Sequence, residues 1–229
     1  MKRLILVLCV IAAPALAATS APALFGGWVG PLSPSTAFLW LLAHAGGSHE
    51  PAGGGPALYM LDHSTPTRAA SPAAGRPAIV VEPVDVAPFL DASGIVYQTA
   101  AHRVVLANDN RWASPLSAQL TDGLYAGLAT ELDGVFVQRG GRDAPDAALH
   151  LGTRVDEFMG HYDGSAHIAG QWTLTDAAGR QLAQARFERR IPLSEDGYEA
   201  LVASLSRGWR QSAQAIAAEI APRLENDAD

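Results

Sequence analysis

The apolar residues of this chain repeat with two different periods, and this change of period most constrains the fold. Short apolar stretches separated by turn residues begin at Ala57, and GIVYQT (94–99) followed by HRVVLAN (102–108) has the pattern of two paired strands. After Ser114 the apolar residues instead recur at every fourth position, as Leu116, Leu120, Leu124 and Leu128. This spacing is typical of one face of a helix, so the chain must combine a sheet with a packed helix.

The start and the packing of this helix have sequence signals of their own. Ser114 is predicted as the N-cap and Pro115 as the first helical residue. Gly123 and Gly127 lie close to the apolar face, and each glycine costs about 1 kcal/mol inside a helix. Another backbone is therefore expected to approach closely there. Tight packing on the sheet of the same monomer is the preferred interpretation, and a contact between subunits is the alternative.

The second half of the chain repeats the pattern of strands followed by a helix. Strands are predicted in GVFVQRG and ALHLGTRVDEFMG, and a hairpin in HIAGQWTLTD and RQLAQARFERR around residues 176–179. A final helix places apolar side chains on one face and is expected to stop at Pro222. Those side chains are Tyr198, Leu201, Val202, Leu205, Trp209, Ile216 and Ile220. The prediction is an α+β fold, a single domain over residues 57–225 with a mixed, mainly antiparallel β-sheet packed against two long helices.

Two segments of the predicted sheet carry turn-forming residues. Pro83 and Pro88 place AIVVEPVDVAPFL (78–90) at a sheet edge or at bulges. Residues 108–110, Asn-Asp-Asn, are predicted to form a tight turn that leaves a strand, after which Arg111 and Trp112 lead into the helix. Trp112 is expected to fasten the incoming chain to the core, and an exposed arginine beside an aromatic residue is also a common binding pair.

The N-terminus has the three regions of a secretory signal peptide. Lys2 and Arg3 precede an apolar run, which ends in Ala15-Leu16-Ala17, and residues 1–17 are therefore predicted to be removed on export. The remaining chain carries 14 arginines and 23 carboxylates, a formal charge of 14 − 23 = −9. This charge argues against a nucleic-acid partner.

Residues 18–56 are predicted to be a tether rich in Ala, Gly, Pro and Ser. It contains four aromatic residues of the kind that settle at a membrane interface, namely Phe25, Trp28, Phe38 and Trp40. An interfacial anchor and a segment that simply packs on the domain are both compatible with this composition.

Sequence motifs of enzymes are not found in the chain. The single lysine, Lys2, and the single cysteine, Cys9, both fall in the predicted signal peptide, which excludes either as a nucleophile. The seven histidines are scattered. His161 and His167 flank a turn and could meet a metal ion with Asp163, but solvated histidines are more common, so no metal site, cofactor or catalytic residue is predicted.

Four segments together resemble the ABC-type transport auxiliary lipoproteins of PqiABC systems. They are GIVYQTA, ANDNRWASPLSAQL, VDEFMGHYDGSAHIAGQW and EDGYEALVASLSRGW, and they follow one another in the same order between about residues 58 and 220. The resemblance implies a non-enzymatic periplasmic subunit, held at the outer membrane, that docks the tunnel of a PqiB-like MCE-domain protein. A PqiA-like inner-membrane protein would be an indirect partner, lipid or another hydrophobic compound the cargo, and the subunit would form a homo-oligomeric ring.

The resemblance also implies which residues bind the partner. The candidates are Tyr97, Gln98, Asn110, Arg111, Trp112, Tyr162, Asp163 and Gly164. Competing structural interpretations remain open, since Tyr97 can be a core residue and Gly164 can serve only to provide a positive φ angle. The alternative function is a free periplasmic binding module for a lipid or small apolar ligand, and a periplasmic hydrolase is a third.

The N-terminus departs from the pattern of the family. A lipoprotein signal ends in a cysteine preceded by Gly or Ala, whereas Leu8 precedes Cys9 and only five apolar residues separate Cys9 from Arg3. These surroundings argue against lipid attachment at Cys9. FLWLLAHAGGS (38–48) resembles the end of a lipoprotein signal without its cysteine. Either the apolar tether replaces the lipid anchor, or the assigned start lies upstream of the true one.

Overall fold

Nine strands and two helices build the described part of the chain. The computed structural model describes residues 55–62, 76–141, 145 and 147–226; the predicted signal peptide with Cys9, and the tether up to residue 54, lie outside them. The strands are β1 (Ala57–Tyr59), β2 (Ala78–Val81), β3 (Asp85–Val86), β4 (Gly94–Ala100), β5 (Arg103–Trp112), β6 (Phe136–Arg139), β7 (Leu149–His161), β8 (Ser165–Thr175) and β9 (Gln181–Pro192). The helices are α1 (Leu116–Glu131) and α2 (Tyr198–Asn226).

All nine strands belong to one mixed sheet organised around β7. One side of β7 pairs antiparallel with β8 from His150 to His161, and β8 pairs antiparallel with β9. The other side of β7 is shared by three shorter parallel partners, β2 and β3 near its start and β4 near its end. The longest ladders are antiparallel, so the predicted mixed, mainly antiparallel sheet with two long helices is confirmed.

The two helices bury the apolar faces that the periodicity predicted. The four leucines of α1 and the large apolar residues of α2 from Leu201 to Ile220 are all buried. Trp209 of α2 packs edge-on against Phe158 of β7, with ring centroids 6.3 Å apart, and its Nε1 donates a hydrogen bond to the carbonyl oxygen of Leu120, 3.0 Å away. Both helices and the sheet therefore share one core.

The close approach predicted from the glycines of α1 involves the second helix. A Cβ atom added at Gly127 would lie 2.7 Å from the Cβ of Ala213 in α2. The contact is within the monomer, as preferred from the sequence, but the neighbour is a helix and not the sheet.

The predicted turn at residues 108–110 is wrong, because β5 continues through it to Trp112. Asn110, Arg111 and Trp112 pair in parallel with β1, and the amide of Trp112 also donates a hydrogen bond to the carbonyl oxygen of Ser93, 2.7 Å away. Pairing with strands that are distant in sequence thus outweighs the turn preference of Asn and Asp.

The helix caps also differ from the prediction. Pro115, with φ −49° and ψ 132°, holds the N-cap position of α1, and no side chain caps it, so Ser114 is not the N-cap. The carbonyl of Ser114 instead accepts a hydrogen bond from Nε2 of Gln119, 2.9 Å away. At the other end of the chain, α2 continues past Pro222 to Asn226, and Leu224 beyond the proline is buried in the core.

The prolines of residues 78–90 interrupt the strand without placing β2 at an edge, whereas β3 pairs only with β7 among the described residues. Pro83 separates β2 from β3, yet β2 lies between β6 and β7 with all four residues buried. None of the helices in the described residues is both long and apolar enough to span a membrane.

Candidate functional site

The side chain of Tyr97 shows which face of the sheet is covered by the helices near the candidate residues. The ring of Tyr97 packs edge-on against Tyr198 of α2, with centroids 6.0 Å apart, so Tyr97 faces the helices. Side chains alternate along a strand, and Gln98 therefore faces away from them, on what we call the outer face. Val104 lies opposite Gln98 in the antiparallel pairing of β4 and β5, and shares this face.

The strand at the end of the sheet, β1, extends the outer face. The hydroxyl of Tyr59 donates to Oδ1 of Asn110, 3.1 Å away, and the Tyr59 ring lies 6.2 Å from that of Tyr198, so Tyr59 and Asn110 face the helices. Leu58 and Arg111, which are partners in the parallel pairing of β1 and β5, therefore point to the outer face.

Four large apolar side chains are exposed in this region. Leu58 is 64% exposed, Met60 61%, Val104 47% and Leu106 45%. Together with Gln98 and Arg111 they form what we call the edge patch. Sequence reasoning missed these four residues, because LYML (58–61) and RVVLAN (103–108) are apolar at consecutive positions and their patterns do not tell which side chains are covered.

The first block of candidates is thus divided between the two faces. Tyr97 and Asn110 belong to a chain of contacts with Tyr59 and Tyr198 on the helix side. Burial, with charged and hydroxyl neighbours including Tyr97, raises the pKa of Tyr198, which keeps its phenol neutral.

The side chains of Trp112 and Arg111 also point to opposite faces of the sheet. Trp112 is only 5% exposed and its ring lies 6.2 Å from that of Phe158, which confirms the expected fastening to the core. Arg111 is exposed, and its Nε donates to the carbonyl oxygen of Asn108, 2.8 Å away. Of these two, only Arg111 has its side chain exposed to solvent.

The second block, Tyr162, Asp163 and Gly164, forms the turn between β7 and β8. Gly164 has φ 82°, which confirms the interpretation that a positive φ angle requires glycine there. Its amide donates to the carbonyl oxygen of His161, 3.1 Å away, and its carbonyl accepts from the amide of Leu193, 3.0 Å away. The pairing of Tyr97 with Gly160 brings the first block next to this turn.

Two histidines flank this turn and approach Asp163. The rings of His161 and His167 stack with centroids 4.1 Å apart and planes 3° from parallel. Nδ1 of His161 lies 3.4 Å from Oδ1 of Asp163, and Nε2 of His167 lies 3.7 Å from Oδ2. The sequence showed the three residues near one turn, but only the pairing of β7 with β8 shows how closely they meet.

The protonation states in this cluster follow from burial and charge. Burial, together with the charges of His161 and Arg190, lowers the pKa of His167. Partial burial is the largest single influence on the pKa of Asp163, and it raises that pKa. The hydrogen bonds from Ser165 and the charges of the two histidines together outweigh it, so the pKa of Asp163 lies below its usual value. Near neutral pH His167 is neutral and Asp163 is ionised.

An open groove lies at the other end of the sheet from this turn. Its volume is about 670 Å³ and its lining mixes apolar Leu149, Leu182 and Leu224 with charged Arg76, Asp176 and Arg180. A lipid-binding module would be expected to offer an enclosed apolar cavity, which this groove is not.

Comparisons with known proteins agree with the fold and with the resemblance of the four segments. Residues 59–217 match the family model of the ABC-type transport auxiliary lipoprotein component. The chain is 38% identical over 146 residues to the intermembrane transport lipoprotein PqiC of Escherichia coli K12, covering 64% of this chain and 76% of that protein, and equally so to that of Shigella flexneri.

Two solved structures share the fold. A crystal structure of an uncharacterized protein is 33% identical, covers 72% of this chain and 99% of its own, and superposes with a TM-score of 0.63. A protein from Xanthomonas campestris is 18% identical, covers 75% and 98%, and has a TM-score of 0.60. Because the family model matches more than half of its length, this chain belongs to the family of ABC-type transport auxiliary lipoprotein components.

Proposed function

We propose that this protein is the auxiliary subunit of an MCE-type intermembrane lipid transport system and that it has no enzymatic role. In this proposal it lies in the periplasm at the outer membrane and docks a PqiB-like MCE-domain protein there. The family and the relatives named intermembrane transport lipoprotein support the transport role. The observation that carries the docking role is the edge patch.

The edge patch has the composition of a protein-binding surface. Leu58, Val104 and Leu106 are exposed on the neighbouring strands β1 and β5, Met60 is exposed directly after β1, and Arg111 and Gln98 belong to the same part of the sheet. Contiguous exposed apolar groups on a folded domain commonly mark an interaction site, and an arginine at such a site often contributes much of the binding energy. An MCE-domain partner that covered this patch would remove the apolar area from water.

The end of the sheet offers a second mode of contact. Within the described residues, β1 pairs only with β5, so its other side presents backbone groups. A strand of the MCE-domain protein or of a second copy of this chain can pair there. We propose the homo-oligomeric ring and the indirect link to a PqiA-like inner-membrane protein on the basis of the family.

Co-purification with the MCE-domain protein tests this function. The full chain is coexpressed with the MCE-domain protein of the same genome, and the amount of MCE-domain protein recovered with it is measured. Leu106→Glu and Arg111→Glu each introduce a negative charge into the edge patch. We expect about tenfold less MCE-domain protein to be recovered with either variant, which corresponds to a loss of about 1.4 kcal/mol of binding free energy.

Arg186→Glu is the matched control. Arg186 is exposed on β9 and the substitution makes the same charge change at a distant strand of the sheet. We expect this variant to recover the partner as the wild type does. Equal recovery with all three folded variants, or no recovery with the wild type, would contradict the docking role. Purification of a monomer with bound lipid and without the MCE-domain protein would favour the free binding module.

A further inference from the structure

We propose that His161, Asp163 and His167, at the turn between β7 and β8, form a binding site for a zinc ion. One ligand atom from each of these residues lies within 4.8 Å of the others. This site is separate from the edge patch, and its existence does not depend on the proposed transport role.

The distances between the ligand atoms suit a tetrahedral ion. With bonds of about 2.0–2.1 Å to nitrogen and oxygen, neighbouring ligand atoms around zinc lie about 3.3 Å apart. The distance from Nδ1 of His161 to Oδ1 of Asp163 is 3.4 Å, and that from Nε2 of His167 to Oδ2 is 3.7 Å. These two contacts use different oxygens of Asp163, so both imidazole nitrogens and one carboxylate oxygen reach bonding distance of a single ion once the side chains turn.

His161 supplies an independent reason for a ligand here. Its Nδ1 atom is buried and makes no hydrogen bond within the described residues, although Asp163 lies nearby. A buried polar atom of this kind normally has a partner. A metal ion held between His161 and Asp163 would provide that partner for the nitrogen lone pair.

The other two side chains are held by neighbouring residues. His167 is only 7% exposed, and its ring is enclosed by the protein at the position where the ion would bind. The carboxylate of Asp163 accepts hydrogen bonds from the amide and the hydroxyl of Ser165, which hold it at the turn next to both histidines.

Two charged neighbours of His167 have opposite effects on the affinity of the site for a cation. Nδ1 of His167, the nitrogen that does not face Asp163, lies 3.9 Å from Oε2 of Glu157. Carboxylates in this position commonly orient metal-binding histidines and strengthen their binding. Arg190 is paired with His167 across β8 and β9, and its positive charge reduces the affinity for any cation.

Binding requires the histidine rings to turn. A metal ion lies in the plane of each imidazole that binds it, whereas the two rings are stacked and nearly parallel. Nε2 of His167 also faces the hydroxyl of Ser165 at 2.9 Å, and this contact has to be released. We therefore expect zinc to separate the stacked rings, which changes the NMR signals of both imidazoles.

The donor set favours zinc over the hard cations. Two imidazole nitrogens and one carboxylate match the ligands of zinc sites, while magnesium and calcium prefer oxygen ligands. Three protein ligands leave the fourth position for a water molecule or for a side chain of a partner.

Calorimetric titration of the full mature chain with zinc chloride and with magnesium chloride tests the site. We expect one zinc ion to bind per protein chain, at this cluster, and magnesium not to bind. His161→Ala and Asp163→Asn each remove one ligand at the turn, and we expect zinc affinity to fall roughly tenfold or more. Circular dichroism confirms that both variants are folded.

His102→Ala is the matched control, because His102 is an exposed histidine in the turn between β4 and β5 and is not one of the three proposed ligands. We expect it to bind zinc as the wild type does, with the NMR signals of His161 and His167 shifting in both proteins. The zinc site is disproved if the wild type binds no zinc, if the two cluster variants bind it unchanged, or if His102→Ala weakens binding as much as they do.

Discussion

Arg111 and Trp112 are consecutive residues of β5, yet Trp112 packs against Phe158 in the core while Arg111 is exposed on the outer face of the sheet. The two neighbouring side chains, a predicted binding pair, therefore have different environments. Trp112 holds the strand, and Arg111 is available to a partner.

This division predicts that substitutions at the two positions have very unequal effects on stability. We expect Trp112→Ala to lower the free energy of unfolding by about 3–5 kcal/mol, because it removes a buried aromatic ring. Arg111→Glu should change it by no more than about 0.5 kcal/mol, as is usual at an exposed site. Urea unfolding followed by circular dichroism measures both. If Arg111→Glu is as destabilising as Trp112→Ala, the assignment of faces is incorrect.

The contact between Gly127 and Ala213 predicts that alanine is unfavourable at position 127. Replacing a glycine inside a helix by alanine normally stabilises the helix by about 1 kcal/mol. Here the added Cβ would lie 2.7 Å from that of Ala213, and we expect a loss of about 1–3 kcal/mol from overpacking. Thermal unfolding of Gly127→Ala measures the loss.

The double variant Gly127→Ala with Ala213→Gly is the control for this contact. It removes the atom that the new methyl group meets, so its destabilisation should be smaller than the sum of the two single effects. Strict additivity would show that the two helices do not touch at these positions.

The hydrogen bond from Trp209 to Leu120 predicts a cost for a substitution that keeps the aromatic core. Trp209→Phe can retain the ring contacts with Phe158 and Phe187 but cannot donate to the carbonyl oxygen of Leu120. We expect a loss of about 1–2 kcal/mol in urea unfolding, against about 3–5 kcal/mol for Trp209→Ala. A Phe variant as stable as the wild type would show that the hydrogen bond contributes nothing to stability.

The lowered pKa of His167 predicts that stability falls on mild acidification. Burial is the main cause, followed by the charges of His161 and Arg190, while Asp163 and Glu157 act in the opposite direction. In the unfolded chain the histidine has its ordinary pKa, near 6.5, and binds a proton more readily than in the folded protein. The contribution of His167 to the free energy of unfolding is therefore fully present above pH 6.5 and is lost as the pH falls below that value.

Urea unfolding at about pH 7.5 and about pH 5.5 measures this dependence, since the interval spans the ordinary histidine pKa. Asp163 titrates below its ordinary value of 3.8 and does not contribute in this range. We expect His167→Gln to lose less stability between the two pH values than the wild type, and His102→Gln to behave as the wild type. An equal loss in all three proteins would contradict the role of His167.

The long periodic elements could be predicted because their signal is local. The leucine repeat of α1 and the apolar face of α2 identify both helices and the sides they bury. The hairpin of β8 and β9 was also predicted, and Ala183 and Phe187 are buried while Gln184 and Arg186 are exposed. In each case the side chains repeat with the period of the structure they form.

The errors fall where distant strands meet. Residues 108–110 have the composition of a turn, but pairing with β1 keeps them in β5. Pro83 and Pro88 suggested an edge or bulges; β3 does pair only with β7 in the described residues, but β2 lies between β6 and β7. Burial of Leu224 accompanies a helix that continues past Pro222. These outcomes depend on contacts between residues far apart in sequence, which local propensity does not contain.

The candidate site divides along the same line. The resemblance of the sequence segments implies eight candidate residues but does not contain the direction of their side chains. The pairing of Tyr97 with Gly160 brings the two segments to one end of the sheet, and the alternation of β4 and β5 places Gln98 beside Val104 on the outer face.

The sequence by itself determined the α+β class, the two helix faces and the membership of the auxiliary lipoprotein family, because periodicity and family motifs are properties of neighbouring residues. Only the tertiary structure decided that β5 continues to Trp112, that Leu58 and Leu106 are exposed beside Arg111, and that His161, Asp163 and His167 meet. Strand pairing and helix packing join residues that are far apart along the chain, and the gain from burying their apolar surface exceeds the local preferences of single residues.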